Sequence, residues 1–252
     1  YRVAIITRLH PDDFPRLEEV REAGVEVYAT PAPETSGIEN TYLPPDMDRR
    51  LCRPLGFAGP FRPEDIPDVK ARVWLIGPII AGEVSVDLLE KLVGRGTVAL
   101  DVQGFVRVPR GDDLVSIDWP EKERGLALVD VLKLDQAEAE VLTGQDDPRQ
   151  ALVELAQYGP RELLLTRADG ALLYADGEFY EAPFRPRSLE GRTGRGDTCF
   201  ATYVARRLSA PPGEALRFAT AVTSLKMERP GPFHGTPADI EAYLANAAED
   251  SG

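Results

Sequence analysis

The sequence predicts an α/β fold built on a central, mostly parallel sheet, and three observations carry this. Strand-like apolar runs alternate with amphipathic helical stretches along most of the chain. The runs near 73–76, 97–100 and 131–134 are apolar almost without interruption, the pattern of strands buried on both faces. The chain has 252 residues, 43 % of them hydrophobic, which suffices for one large α/β domain. A single domain over 1–252 is therefore expected, with a lid-like excursion at about 30–60.

Taken in order, residues 2–7 open the chain as a strand. Phe14, Leu17 and Val20 then recur at helical spacing through 12–23, and Gly24 stops that helix. Residues 25–28 form a second short strand. Pro, Thr and Gly are frequent over 30–50 while Ile38 to Leu43 alternates weakly, which fits hairpins leaving the main sheet. Strands at 72–76 and 97–100 flank a helix at 83–93. A strand at 131–134, helices at 136–142 and 148–157, and a strand at 162–166 follow. The strands at 171–174 and 178–180 are joined by Ala175-Asp176-Gly177, a hairpin signal. Helices at 196–208, 212–227 and 236–247 close the chain. Strand-forming residues begin at once after Tyr1, so an upstream segment is expected.

Lys and Arg total 29 against 42 Asp and Glu, a net charge of −13. Such a surface repels phosphate backbones, so nucleic acid is not an expected partner. No stretch approaches the roughly 18 uncharged apolar residues of a membrane span, so no membrane partner is expected. Cys52 and Cys199 do not make a disulfide scaffold, and a reducing cytoplasm is the expected compartment. Neither has metal-ligand spacing, and His10 and His234 have no third partner nearby, so no zinc site is expected. An acidic protein that binds an anionic nucleotide needs a local device to hold phosphate.

Gly191-Arg192-Thr193-Gly194-Arg195-Gly196-Asp197 supplies one. Its three glycines precede a helix that begins near Gly196; they admit positive φ and leave room for a ligand against the backbone. Free amides at the helix start, with the dipole behind them, attract an anion. Asp197 then has two readings, a cap for orphan amides or a chemical group.

Thr193-Gly194-Arg195-Gly196-Asp197-Thr198 resembles the signature of the ribokinase family, also called the PfkB carbohydrate kinases, usually seen as Asp-Thr-Gly-Ala-Gly-Asp. Arg192 stands in place of the first Asp and Arg195 in place of Ala. The resemblance implies a ribokinase-like three-layer α/β/α fold with a small β lid. It implies that the backbone of Gly194, Arg195 and Gly196 forms an anion hole for the moving phosphoryl group. Asp197 would take the proton of the acceptor hydroxyl, and Thr193 would lie on the nucleotide side. That assignment suits phosphoryl transfer, which depends on positioning, charge stabilisation and a base within reach. Arg195 would face phosphate or point to solvent.

Other stretches resemble the same family in the right order. Asp130 to Gly144 is similar to its strand, Asn-x-x-Glu and helix ending in Thr-Gly, with Asp135 where Asn is usual and Glu138 in the acidic position. There the resemblance implies Mg2+ at Glu138 and Asp135, a choice of ligand that suits a hard cation. Glu140 reads as the solvated face of the helix. Leu163 to Leu173 resembles the family's strand, Thr-x-Gly-x-x-Gly turn and next strand along the nucleotide. Thr166 and Gly170 fit, while Arg167 replaces the first Gly and either contacts phosphate or merely precedes a turn made by Asp169-Gly170. Ala215 to Met227, followed by Arg229-Pro230-Gly231, looks like the helix and loop that flank the adenine, with Thr220 as the polar residue on that side. The family's first strand, acceptor-binding Asp and Gly-Gly motif have no counterpart before Tyr1.

The run Leu100-Asp101-Val102-Gln103-Gly104-Phe105-Val106-Arg107 ends a strand in polar residues, which puts them at the carboxyl edge of a parallel sheet, where ligands bind. It looks similar to a subgroup that includes inositol kinases. Asp101, Gln103 and Arg107 either contact acceptor or phosphate, or cap a βα loop. Asn40, Glu39 and Tyr42 in the lid segment are further substrate candidates against the reading of an exposed hairpin, which is preferred for Arg50.

The resemblance thus implies ATP-dependent phosphoryl transfer to a hydroxyl of a sugar, inositol or nucleoside, with Mg2+ and a monovalent cation as further cofactors. A lid of exposed strands favours a homodimer. The alternative is a small-molecule sensor that kept the fold and lost turnover. Asp135, Arg167 and Arg192 favour it, and the intact Asp197 and Glu138 oppose it. A nicotinamide-dependent dehydrogenase fails on position, because no Gly-x-Gly-x-x-Gly follows the first strand.

Overall fold

The computed structural model describes residues 1–43 and 46–249, with side chains described outside 42–50 and 247–249. Two compact units make up the chain, Tyr1–Val129 and Asp130–Gly252.

The first unit opens with β1 (Ala4–Leu9), a 3-10 helix (Pro11–Leu17), α1 (Glu18–Glu22) and β2 (Glu26–Pro31), and β1 pairs parallel with β2. The single helix expected over 12–23 is therefore divided. Pro15 lies inside it, lacks an N–H and prevents a continuous α-helical ladder. The hairpin expected after residue 30 is present as β3 (Gly37–Leu43) and β4 (Asp46–Gly56), paired antiparallel. β4 leaves Leu51 and Leu55 exposed and buries Cys52 against Ile80 and Leu114. The side chains of Tyr42 and Arg50 lie outside the described residues. A second 3-10 turn (Pro63–Asp65) carries Asp65, which pairs with Arg8 at 2.8 Å.

β5 (Val73–Ile76) and β6 (Thr97–Asp101) run parallel with α2 (Val86–Leu92) between them. Ser85 Oγ accepts from the Leu88 amide at 3.2 Å to start α2, which buries Val86, Leu88, Leu89 and Leu92. Then come α3 (Gln103–Val106), the antiparallel pair β7 (Arg107–Arg110) and β8 (Asp113–Ser116), and α4 (Lys122–Leu126). Sequence reading missed these four, because elements of about one turn are too short to show a period.

The second unit follows its expected order closely: β9 (Val131–Asp135), α5 (Gln136–Thr143), α6 (Pro148–Ala156), β10 (Glu162–Thr166), β11 (Gly170–Ala175), β12 (Glu178–Pro183), α7 (Arg195–Arg207), α8 (Pro212–Met227) and α9 (Pro237–Glu249). β9 and β10 are parallel, and β11 and β12 extend the sheet antiparallel. The β11–β12 turn places Asp176 and Gly177 at φ 54° and 81°, the positive values a tight hairpin needs. α7 turns Phe200, Tyr203 and Val204 inward, three and four residues apart. The Tyr203 hydroxyl donates to Glu162 at 2.5 Å, and Arg207 Nη2 donates to the same carboxylate at 2.7 Å, tying α7 to β10. α8 is buried along most of its length, Lys226 included.

Candidate active site

In the second unit three elements converge on the first turn of α7. Gly194 is its N-cap at φ 80°, a conformation costly for any residue with a Cβ, and as a glycine it brings no side chain of its own to cap the helix start. The N-cap position itself therefore leaves the anion-attracting end of the helix open. A Cβ placed on Gly196 would lie 3.2 Å from Lys133 Nζ and 3.7 Å from Thr166 Oγ1, so glycine is what lets those groups approach the backbone. Lys133 comes from the middle of β9 and Thr166 from the end of β10, and both are buried. The third element is α8, whose Lys226 Nζ donates to the carbonyls of Gly191, at 2.5 Å, and Thr193.

Asp197 sits in the first turn of α7 and is exposed; its Oδ2 lies 3.8 Å from the point where a Gly194 Cβ would be, as does Lys226 Nζ. Burial pushes the Lys226 ammonium below its ordinary pKa, and the Asp197 charge partly offsets this. Burial pushes the Cys199 thiol up to about 12 in spite of a Thr223 hydrogen bond and the fields of Lys133 and Arg195. Cys199 is therefore an inert core residue behind the site.

The pfkB family carbohydrate kinase model matches residues 87–239, more than half of the chain. The chain belongs to the pfkB family. A sulfate complex of a pyrophosphate-dependent kinase in the ribokinase family is 39 % identical, at TM-score 0.88, covering 96 % of this chain and 86 % of the other. A pyrophosphate-dependent kinase in the ribokinase family, complexed with a pyrophosphate analog and myo-inositol, is 38 % identical at TM-score 0.88 with the same coverage. A cytidine kinase of Thermococcus kodakarensis is 28 % identical over 149 residues, 57 % of this chain. The match spans about half of that relative, 49 % of its length. The fold is ribokinase-like, a central mostly parallel sheet with flanking helices.

Within this pfkB-family chain the expected site residues fall into distinct groups. Asp135 and Glu138 cap α5 reciprocally: Asp135 Oδ1 accepts from the Glu138 amide at 2.9 Å, and Glu138 Oε2 from the Asp135 amide at 2.8 Å. Glu138 is 2 % exposed, so the alternative of a solvated helix face is wrong for it, whereas Glu140 is exposed as expected. Arg167 holds the 167–170 turn, its amide donating to Gly170 O at 2.8 Å and its Nε pairing with Asp169 at 3.4 Å. A Cβ on Gly170 would come within 2.6 Å of Ala182 O, so that glycine is required by the β11–β12 pairing itself. Arg195 lies over the Phe184 ring at 5.9 Å and half-buried.

Thr220 lines a cavity of about 570 Å³ with Arg185, Arg217, Phe218 and Tyr243, and its hydroxyl donates to Arg217 O at 3.1 Å. Residues 191–197 are not among those that line that cavity.

In the first unit Asp101 ends β6, is buried, and accepts from the Gln103 amide at 3.1 Å, which realises the loop-capping alternative for one of its oxygens. Arg107 is buried at the start of β7. Asn40 stands in β3, and among the described residues its Oδ1 is shielded from solvent without a hydrogen-bond partner. A polar atom in that state costs free energy until a donor reaches it.

Sequence reasoning missed Lys133 and Lys226. Each left a signal: Lys133 is the charged residue inside the apolar run Val131–Leu134, and Lys226 stands between Leu225 and Met227 on a helix otherwise rich in core residues. A lysine in such a place needs a partner, since burying an unpaired charge is expensive.

Proposed function

We propose that this chain transfers a phosphoryl group to a ring hydroxyl of a cyclitol or sugar, with Asp197 as the base and the Gly194–Gly196 backbone as the anion hole. The observation that carries it is the placement of Asp197 at a helix start whose N-cap is glycine and on which the buried Lys133 and Lys226 converge. In that arrangement Asp197 takes the acceptor's proton while backbone amides and Lys133 hold the phosphoryl oxygens in place. Pyrophosphate is the donor, and myo-inositol the first acceptor to try, because two solved relatives 38–39 % identical are pyrophosphate-dependent and one holds myo-inositol. Arg167, Arg192 and Arg195 at family glycine, aspartate and alanine positions suit a donor that is all phosphate. Glu138 and Asp135 each have one oxygen in the α5 cap, and Mg2+ would take most of its remaining ligands from donor and water, neutralising phosphate charge.

ATP is the second reading for the donor, favoured by the cavity at Thr220. On the acceptor side Asn40, Asp101, Gln103 and Arg107 are the recognition residues, the β3–β4 hairpin is the lid, and its exposed Leu51 and Leu55 pair two copies. Phosphorus NMR of protein with myo-inositol and either pyrophosphate or ATP tests the reading. Phosphoinositol from pyrophosphate supports it, and product from ATP alone selects the second donor. Acceptor binding without turnover in either case turns the assignment into that of a sensor.

A further inference from the structure

A ribokinase-like kinase is expected to use a monovalent cation, yet the carbonyl oxygens of the loop that leads into the anion hole are already held. The carbonyls of Gly191 and Thr193 both accept from Lys226 Nζ. Two backbone oxygens aimed at one point are the kind of ligand set with which proteins replace the water shell of potassium. An ammonium with three donors satisfies the same oxygens by hydrogen bonds. Lys226 is 5 % exposed and reaches the loop from the last turn of α8, which is packed in the core. Asp197 is the acidic group whose field acts on it. The loop is fastened a second time by its own backbone, because the Gly191 amide donates to Met227 O at 2.8 Å. A separate metal ion does not fit that oxygen pair while the lysine occupies it.

We propose that Lys226 is a built-in cation: its ammonium takes the carbonyl cage of residues 191–193, positions Gly194–Asp197 for phosphoryl transfer, and makes the reaction independent of added potassium. The proposal deepens the kinase reading and rests on it for its kinetic part. Lys226 is a positioning residue, since it touches the loop that carries the anion hole and the base.

The test compares wild type with Lys226→Ala and Lys226→Gln in sodium, potassium, ammonium and tetramethylammonium chloride at fixed ionic strength, with pyrophosphate and myo-inositol. Wild-type turnover changes by less than about twofold among the salts, while Lys226→Ala falls on the order of 100-fold and regains about tenfold with ammonium or potassium but not tetramethylammonium. Lys226→Gln keeps two amide donors without the charge, so it retains the melting temperature while losing turnover. Potassium raising wild-type turnover several-fold, or an alanine variant with wild-type kinetics, would overturn the proposal. If no salt gives turnover in any protein with either pyrophosphate or ATP, the kinase reading has failed. Crystals in rubidium chloride then still decide the cation cage. Rubidium between the Gly191 and Thr193 carbonyls in Lys226→Ala, and none there in wild type, supports it, and its absence from the variant sinks it.

Discussion

The proposed phosphate site at the start of α7 and the proposed acceptor residues of the first unit would handle their ligands in different ways. At α7 the recognition surface is main chain: glycines strip away side chains, and buried lysines approach the backbone from β9 and α8. Among Asn40, Asp101, Gln103 and Arg107 it is side chains, spread over β3, the end of β6, α3 and β7. A phosphate site can be general because every phosphoryl donor offers the same oxygens. An acceptor site must discriminate between hydroxyl patterns, which takes individually placed donors and acceptors. Changes at α7 should therefore damage chemistry with any acceptor, and changes in the first unit should alter choice.

The largest expected effect is at the base. Asp197→Asn should lower kcat by about 10²–10⁴-fold with every acceptor tried, as loss of a general base does, and unchanged turnover would remove Asp197 from the mechanism. Lys133→Met should cost about 10²–10³-fold in turnover, with a rise in donor KM and little change in acceptor KM. If acceptor KM moves instead, the division between the two regions is wrong. Asn40→Leu should raise acceptor KM about tenfold, the equivalent of 1.4 kcal/mol, and leave donor KM alone. Its melting temperature should not fall, because the substitution removes a shielded oxygen that lacks a partner.

A weaker contrast concerns acid stability. Burial pushes the Asp65 carboxyl up, but hydrogen bonds from the Arg62 amide, Thr30 and Arg8 outweigh it and hold Asp65 below its ordinary 3.8. An acid with a depressed folded pKa contributes stability above 3.8 and loses it as pH falls through the lower folded value. Melting curves of wild type and Asp65→Asn should thus differ near neutral pH and converge in strong acid. The smallest effect should be at Cys199: with its thiol at about 12, it should resist alkylation at pH 8 until the protein is unfolded.

How far the sequence was legible followed the same division. The second unit's elements begin and end within a few residues of their expected positions, because each has a period, a cap or a paired turn. Asp176-Gly177 marks one hairpin, and Asp135 marks the start of α5. Glu138 is harder, since a first-turn glutamate looks the same in sequence whether it faces water or is 2 % exposed in a reciprocal cap. Arg167 departs from the family's glycine, and its ion pair to Asp169 becomes visible only in the folded turn. Lys133 and Lys226 were passed over because periodicity assigns them to core elements and says nothing of what a long side chain reaches. In the first unit α3, β7, β8 and α4 were illegible for their brevity, and Pro15 broke a helix that spacing alone would have run on.

The bond from the Gly191 amide to Met227 O has a consequence for motion. Ligand-binding loops usually open at little free-energy cost, well before the core around them unfolds. Here the loop shares its amide with the final turn of a helix that is buried along most of its length. The Gly191 proton should therefore exchange with deuterium on the slow timescale of α8, while the amides of the exposed Ala168 and Asp169 exchange early. Phosphate binding would then quiet little that is not already still, and the donor side of this protein would be rigid before its ligand arrives.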